Sequence, residues 1–244
     1  MQNKVRLDTD GPVGIITMDN LPQNYLKDPL LIDQGRLKQF IESNSLKGLV
    51  IQGASRHFSA GADQKSIQDN LEQGNLLSRL TQGKELLRYL EQLNIPTVAA
   101  IEGICFGGGL EIALACHVRV ASRKALLAFP ETQHDLLPGL GGIQRMRHTT
   151  PFGADHLEML LSGEMIDAGK ASELRFIDYL VAPKSALAYA LQWLKRITHN
   201  RSLEVIHAIM QSINNTREYS YEQALEENSR LFYELASKNI NRNS

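Results

Sequence analysis

The sequence predicts an α/β fold, and three observations carry that expectation. Apolar runs of strand length alternate with segments whose apolar residues recur at helical spacing. Apolar residues make up 43% of the 244, enough to fill the core of one large domain or of one domain with a small appendage. No internal repeat, low-complexity run or flexible linker interrupts the pattern, so its parts are expected to pack together.

In chain order, Val13-Gly14-Ile15-Ile16-Thr17-Met18 reads as a strand, and residues 30–41 as an amphipathic helix. Leu49-Val50-Ile51-Gln52-Gly53 is the next strand. After Asp63 comes a polar stretch through Gly74 and Asn75. A helix follows with Leu76, Leu77, Leu80, Leu87, Leu90 and Leu93 on one face, a pattern that suits a core better than a cofactor contact. Pro96 opens a strand within the apolar run 95–101. Residues 111–116 read as a helix, and Val118-Arg119-Val120-Ala121 and Leu126-Leu127-Ala128-Phe129 as short strands about a turn. From about Phe152 the chain turns helical. Asp167-Ala168-Gly169-Lys170-Ala171 opens one short helix, residues 186–198 form another, and residues 221–238 carry Ala224, Leu225, Leu231 and Leu235 at helical spacing. This divides the chain into a core, 1–181, and a helical C-terminal section, 182–244.

Composition narrows the function. A net charge of −1 argues against nucleic acid as the main partner. No apolar run approaches the ~20 residues of a membrane span. The first residues, Met1-Gln2-Asn3-Lys4-Val5-Arg6-Leu7-Asp8, hold no signal-peptide apolar region. Cys105 and Cys116 form no Cys-x-x-Cys pair, so no metal or redox role is expected, and the compartment is expected to be cytoplasmic. His134-Asp135 invites a catalytic-dyad reading, but adjacent residues in a loop generally point apart.

The chemistry concentrates in Ile104-Cys105-Phe106-Gly107-Gly108-Gly109-Leu110-Glu111. Three glycines between a strand and a helix leave bare N–H groups where the helix dipole is positive, and a first-turn glutamate adds a carboxylate. Tight packing or phosphate binding would use such a turn equally well. The spacing fits neither Gly-x-Gly-x-x-Gly nor a P-loop, and no Gly-x-Ser-x-Gly elbow supplies a serine nucleophile. Upstream, His57-Phe58-Ser59-Ala60-Gly61-Ala62-Asp63 follows a strand. Its small residues let a ligand approach the main chain, and the N–H of Ala62 is a second candidate donor. Glu131, in Phe129-Pro130-Glu131, is a second candidate carboxylate; a favourable helix charge and a surface turn residue would explain the two glutamates without chemistry.

These blocks resemble the crotonase (enoyl-CoA hydratase/isomerase) superfamily. The segment 57–65 resembles that family's first oxyanion segment. Residues 95–116 resemble its Pro-x-x-Ala…Gly-Gly-Gly-x-Glu-Leu/Ile-Ala-x-x-Cys block. Phe129-Pro130-Glu131 and Leu136-Leu137-Pro138-Gly139-Leu140-Gly141-Gly142-Ile143-Gln144-Arg145 resemble its Pro-Glu and Pro-Gly-x-Gly-Gly-x-Gln-Arg segments. The similarity runs from about Val13 to about Val181, with the blocks in order.

The resemblance implies a crotonase-like spiral of ββα units and a C-terminal section that mediates trimer contacts, hence a homotrimer or a dimer of trimers. It implies backbone donors Ala62 and Gly108 on the thioester oxygen of an acyl-CoA, and catalytic glutamates Glu111 and Glu131. Ala60, Gly61, Asp63, Lys65 and Gly107 would line the substrate, with Lys65 near the CoA phosphates. The implied reaction is reversible addition of water to a 2-enoyl thioester. Double-bond isomerisation and a non-catalytic acyl-CoA-binding subunit are the alternatives. No metal or organic cofactor is implied beyond the coenzyme A of the substrate. Two departures stand out. Asn20-Leu21-Pro22-Gln23-Asn24-Tyr25-Leu26-Lys27-Asp28-Pro29 replaces the usual Asn-Ala-Leu/Met segment, and the terminal Glu-Gly-x-x-Ala-Phe-x-x-Lys-Arg motif is not seen. Both favour an exposed adenine end and make an acyl-carrier-protein thioester an alternative substrate.

Overall fold

The structure, a computed structural model, describes residues 2–242. Its frame is a six-stranded sheet in the order β1 (Val5–Asp10), β2 (Val13–Met18), β3 (Gly48–Gly53), β4 (Thr97–Ile101), β6 (Val118–Ser122), β9 (Tyr179–Val181). Only β1 pairs antiparallel; the other neighbours are parallel, with α1 (Gln34–Ser43) in the crossover from β2 to β3 and α2 (Gln64–Glu72) and α3 (Leu76–Glu91) in that from β3 to β4. The central strands are buried on both faces, which is why they read as unbroken apolar runs. Leu49 and Ile51 turn to the large core with Leu86, Leu87 and Leu90 of α3, while Val50, between them, faces the other way.

That second face packs on α8 (Ala186–Thr198) through Ala186, Ala190 and Leu194. Gly48 makes room for it, since a Cβ there would lie 2.9 Å from Leu194 Cδ2. A second sheet, β5 (Ile104–Phe106), β7 (Leu126–Ala128) and β8 (Ile166–Asp167), stands beside α4 (Gly108–Leu114). A 3₁₀ turn, Pro130–His134, follows β7. Then come α5 (Gly142–Thr149), α6 (Ala154–Ser162), α7 (Ala168–Glu173), α9 (Leu203–Glu218) and α10 (Tyr221–Arg242). The fold is α/β, as the alternation of elements predicts. Among the described residues no helix is long and apolar enough to cross a membrane.

Four readings change. β1 joins the sheet, although Val5 and Leu7 are only half-buried. The helix expected at 30–41 starts at Gln34, where Asp33 accepts the N–H of Arg36 and caps it. The polar stretch after Asp63 is α2, a helix with no fully buried residue. Leu77 is 75% exposed, one position off the face that buries Leu87 and Leu90.

Candidate active site

Four segments meet at the strand–helix junction. Phe106 N–H donates to Ser59 O at 2.9 Å and Ser59 N–H to Ile104 O at 3.1 Å, which ties the loop after β3 alongside β5. A Cβ at Gly109 would lie 2.7 Å from Ser59 Cβ, so the helix can start this close only with glycine there. Gly107 turns the chain at φ 49°, ψ −123°, and a side chain on it would also strike Glu131 Oε1 at 2.5 Å.

Two main-chain donors are left over. Gly108 is the first residue of α4, where N–H groups have no partner inside the helix. Ala62 sits in a one-residue parallel bridge with Leu26. There Leu26 N–H donates to Gly61 O at 2.8 Å and Asp63 N–H to Leu26 O at 2.9 Å, so the N–H of Ala62 itself points away from Leu26. Neither N–H has an acceptor among the described residues, and both residues line one cavity.

Glu111 and Glu131 line the same cavity. Glu111, 1% exposed, accepts the N–H groups of Leu140 and Gly142, each at 2.7 Å, on Oε1. Burial pushes its carboxyl up to about 7. The neighbouring charge of Glu131 adds to this, while the N–H groups of Gly142 and Leu140 and the Arg145 guanidinium oppose it. Glu131 comes from the 3₁₀ turn. Burial raises its carboxyl to about 7 as well, against the pull of its own N–H, and its buried Oε2 accepts no hydrogen bond from the described residues. A carboxyl near 7 exchanges protons readily at neutral pH.

The cavity holds about 150 Å³ and its walls are mostly apolar: Leu26, Ile67, Leu76, Leu80, Leu136 and Leu140 contribute. Asp28 is also in the wall, its buried carboxylate paired with Arg79 of α3. A wider, more polar cleft adjoins it and shares Ala62, Asp63 and Glu131; Gln23, Tyr25, Gln64, Phe106 and His134 line it. The two carboxyls and the two N–H groups therefore stand where an apolar cavity meets an open cleft.

Most sequence candidates converge here. Ala60, Gly61 and Gly107 line the cleft. Asp63 lines both spaces, but its carboxylate caps α2, accepting Lys65 N–H at 3.3 Å and Ser66 Oγ–H at 3.2 Å. Lys65 is exposed on the first turn of α2 and lines neither space. His134 and Asp135 do not form a dyad. His134 Nε2 faces Gln64 Nε2 at 2.8 Å, and Asp135 closes the turn at φ 54°. Sequence reasoning missed the N–H clamp on Glu111, because Leu140 and Gly142 lie 29 and 31 residues away.

The burial of Glu111 implies a stability trade-off. An unfolded glutamate titrates near 4.5 and folded Glu111 near 7, so the folded state binds the extra proton between those values. Folding is favoured most below about 4.5 and loses stability as pH rises through 7. A glutamine side chain in place of Glu111 would keep an acceptor for both N–H groups without the buried charge. Glu111→Gln is therefore expected to match the parent's thermal midpoint at pH 4.5 and to melt higher than the parent at pH 8, where it is more stable by on the order of 1–3 kcal/mol. Melting curves at both pH values check this; a midpoint below the parent's at pH 8 would refute it.

This α/β fold, with the two N–H groups and two glutamates at its strand–helix junction, defines a protein of the crotonase superfamily. The chain belongs to the enoyl-CoA hydratase/isomerase family, whose profile matches residues 8–244. It is 30% identical over 236 residues to a probable enoyl-CoA hydratase of Bacillus subtilis, covering 95% of this chain and 90% of that protein. It is 33% identical to the peroxisomal fatty acid beta-oxidation multifunctional protein AIM1 of Arabidopsis thaliana, covering 97% of this chain but 32% of that much longer one. In fold it resembles the crystal structure of an enoyl-CoA hydratase from Polaromonas sp. JS666, with a TM-score of 0.85 at 24% identity over 94% of this chain and 90% of that one.

Proposed function

We propose that this protein hydrates 2-enoyl-CoA thioesters. The observation that carries the reading is the pair of buried carboxyls, both raised to about 7, lining one cavity with the two unclaimed N–H groups. The thioester oxygen accepts from Ala62 and Gly108, which hold the charge that gathers there as the enolate forms. Glu111, ionised, takes a proton from the water whose oxygen bonds to Cβ. Glu131, protonated, delivers its proton to Cα as the double bond's electron pair moves. Exchange with solvent restores the starting protonation. Isomerisation would need only one carboxyl, and two are in place, which favours hydration.

The apolar cavity takes the acyl chain, and the cleft takes the pantetheine arm; Lys65, exposed on the first turn of α2 outside both spaces, is the nearest expected partner for the phosphates only through solvent. Incubation with crotonyl-CoA, followed by loss of the enoyl absorbance and detection of the 3-hydroxyacyl product, tests the activity. A parallel assay with the crotonyl-carrier-protein tests the carrier. Absence of product from both thioesters refutes the reading.

Cavity size gives a further expectation. A cavity of about 150 Å³ lined by apolar side chains holds a guest the size of benzene. Short chains, up to about six carbons by that measure, are expected to react best. Leu80→Ala, which enlarges the wall, is expected to raise the decenoyl-to-crotonyl ratio of kcat/KM by roughly tenfold, since a methylene in a hydrophobic pocket is worth about 1–3 kcal/mol. A parent profile that stays flat to hexadecenoyl-CoA would show that the cavity does not select length.

A further inference from the structure

Behind Glu111 lies a second layer that the reaction as written does not use. Arg145 of α5 is buried, with 9% of its side chain exposed, and lines neither the cavity nor the cleft. Its Nη2 pairs with Glu91 Oε2 at 3.0 Å, at the end of α3, and its Nη1 donates to the carbonyl oxygen of Leu140. The N–H of that same Leu140 donates to Glu111 Oε1. Gly141 turns between the two clamping residues at φ 93°, and a Cβ there would lie 2.8 Å from Arg145 Nη1. The 140–142 segment is thus a bow held by both side chains, Glu111 through two of its N–H groups and Arg145 through the carbonyl of Leu140.

Resting on the hydratase reading, we propose that Arg145 is the positioning residue for Glu111, acting through the 140–142 bow and anchored to α3 by Glu91. Three parts have to agree for Glu111 to sit where it does: the bow, the guanidinium, and the end of the helix that also supplies Leu76 and Leu80 to the acyl cavity. A planar fork holds a carbonyl and a carboxylate on separate nitrogens in fixed directions, whereas a lysine offers one freely rotating ammonium. The charged groups around Glu111 are Glu131 of the 3₁₀ turn and Arg145 of α5. Glu91 of α3 stands behind the guanidinium, and Asp28 and Asp63 lie along the cavity wall.

Arg145→Met alone would strand the Glu91 carboxylate, and breaking one side of a buried pair can unfold a protein. The double variant Glu91→Gln/Arg145→Met removes both charges, which is often neutral for folding. Arg145→Lys keeps the charge and loses the fork. Two readouts are taken: kcat and KM on crotonyl-CoA, and the titration of the isotope-labelled Glu111 carboxyl, which needs no turnover. The double variant is expected to lose ~10- to 10²-fold in kcat with KM nearly unchanged, the scale of a small misplacement. Its Glu111 midpoint is expected to rise, because a cation that favours the carboxylate is gone. Arg145→Lys is expected to lose kcat with little change in the midpoint. Parental kcat in the double variant or in Arg145→Lys overturns the proposal, as does an unmoved midpoint in the double variant. If the parent hydrates nothing, the hydratase reading falls, and the titration still decides the role of Arg145.

Discussion

Glu131→Gln is expected to remove hydration almost completely, with kcat on crotonyl-CoA falling by ~10² to 10⁴. The amide keeps the shape of the side chain, so binding of the thioester should persist. What it cannot do is release a proton to Cα. Glu111→Gln should lose activity on the same scale for the complementary reason, since the amide keeps the N–H clamp but cannot take the proton of the water. The pH profile separates the two roles. Glu111 has to be ionised and Glu131 protonated, and both titrate near 7. The parent's kcat/KM should therefore trace a bell about neutral pH, falling on the acid side as Glu111 protonates and on the alkaline side as Glu131 ionises. Glu111→Gln should abolish the acid limb in whatever activity remains. Retained isomerase turnover in Glu111→Gln, lost in Glu131→Gln, would replace hydration with isomerisation; unimpaired hydration in both would leave a binding protein.

Gly108→Pro should cost ~10² to 10³ in kcat, the usual loss for one oxyanion donor. A main-chain donor cannot be removed by trimming a side chain, and proline is the residue that lacks it. The position makes the experiment clean. Gly108 is the first residue of α4, where a proline is well tolerated because the N–H has no helical acceptor anyway. The nearest obstacle to an added Cβ is the flexible end of Leu26, at 3.0 Å. The variant should fold, bind the acyl thioester and fail to turn it over. Circular dichroism and thioester binding establish the first two points, and a parental kcat in a folded variant would remove Gly108 from the mechanism.

How much of this could be read from the chain depends on the range of each interaction. The central strands announced themselves because burial on both faces leaves nothing but apolar residues. The helix at 186–198 did so through a strong one-sided pattern. β1 is weakly legible although Val5 and Leu7 alternate with Arg6 and Asp8, since only one of its edges is paired and its apolar side chains stay half-exposed. α2 was invisible to periodicity because none of its residues is fully buried; its start was written in the cap, Asp63. At the site, the glycines and glutamates were legible through the family's motifs. The pairs that hold them were not: Asp28 with Arg79, and Glu91 with Arg145, join residues 51 and 54 positions apart, a juxtaposition that only the folded chain creates.

The bridge between Leu26 and Ala62 has a consequence for how this protein can vary. The donor at 62 owes its direction to pairing parity: in a parallel bridge one residue's amides engage the neighbour and the next residue's turn the opposite way. Any non-proline amino acid at 62 would present the same N–H, whereas inserting or deleting one residue between Ser59 and Ala62 would swing it to the far side. The segment should accordingly tolerate substitutions at 62 that leave the backbone alone and resist every change of length. What is inherited at this position is a count of residues rather than a side chain.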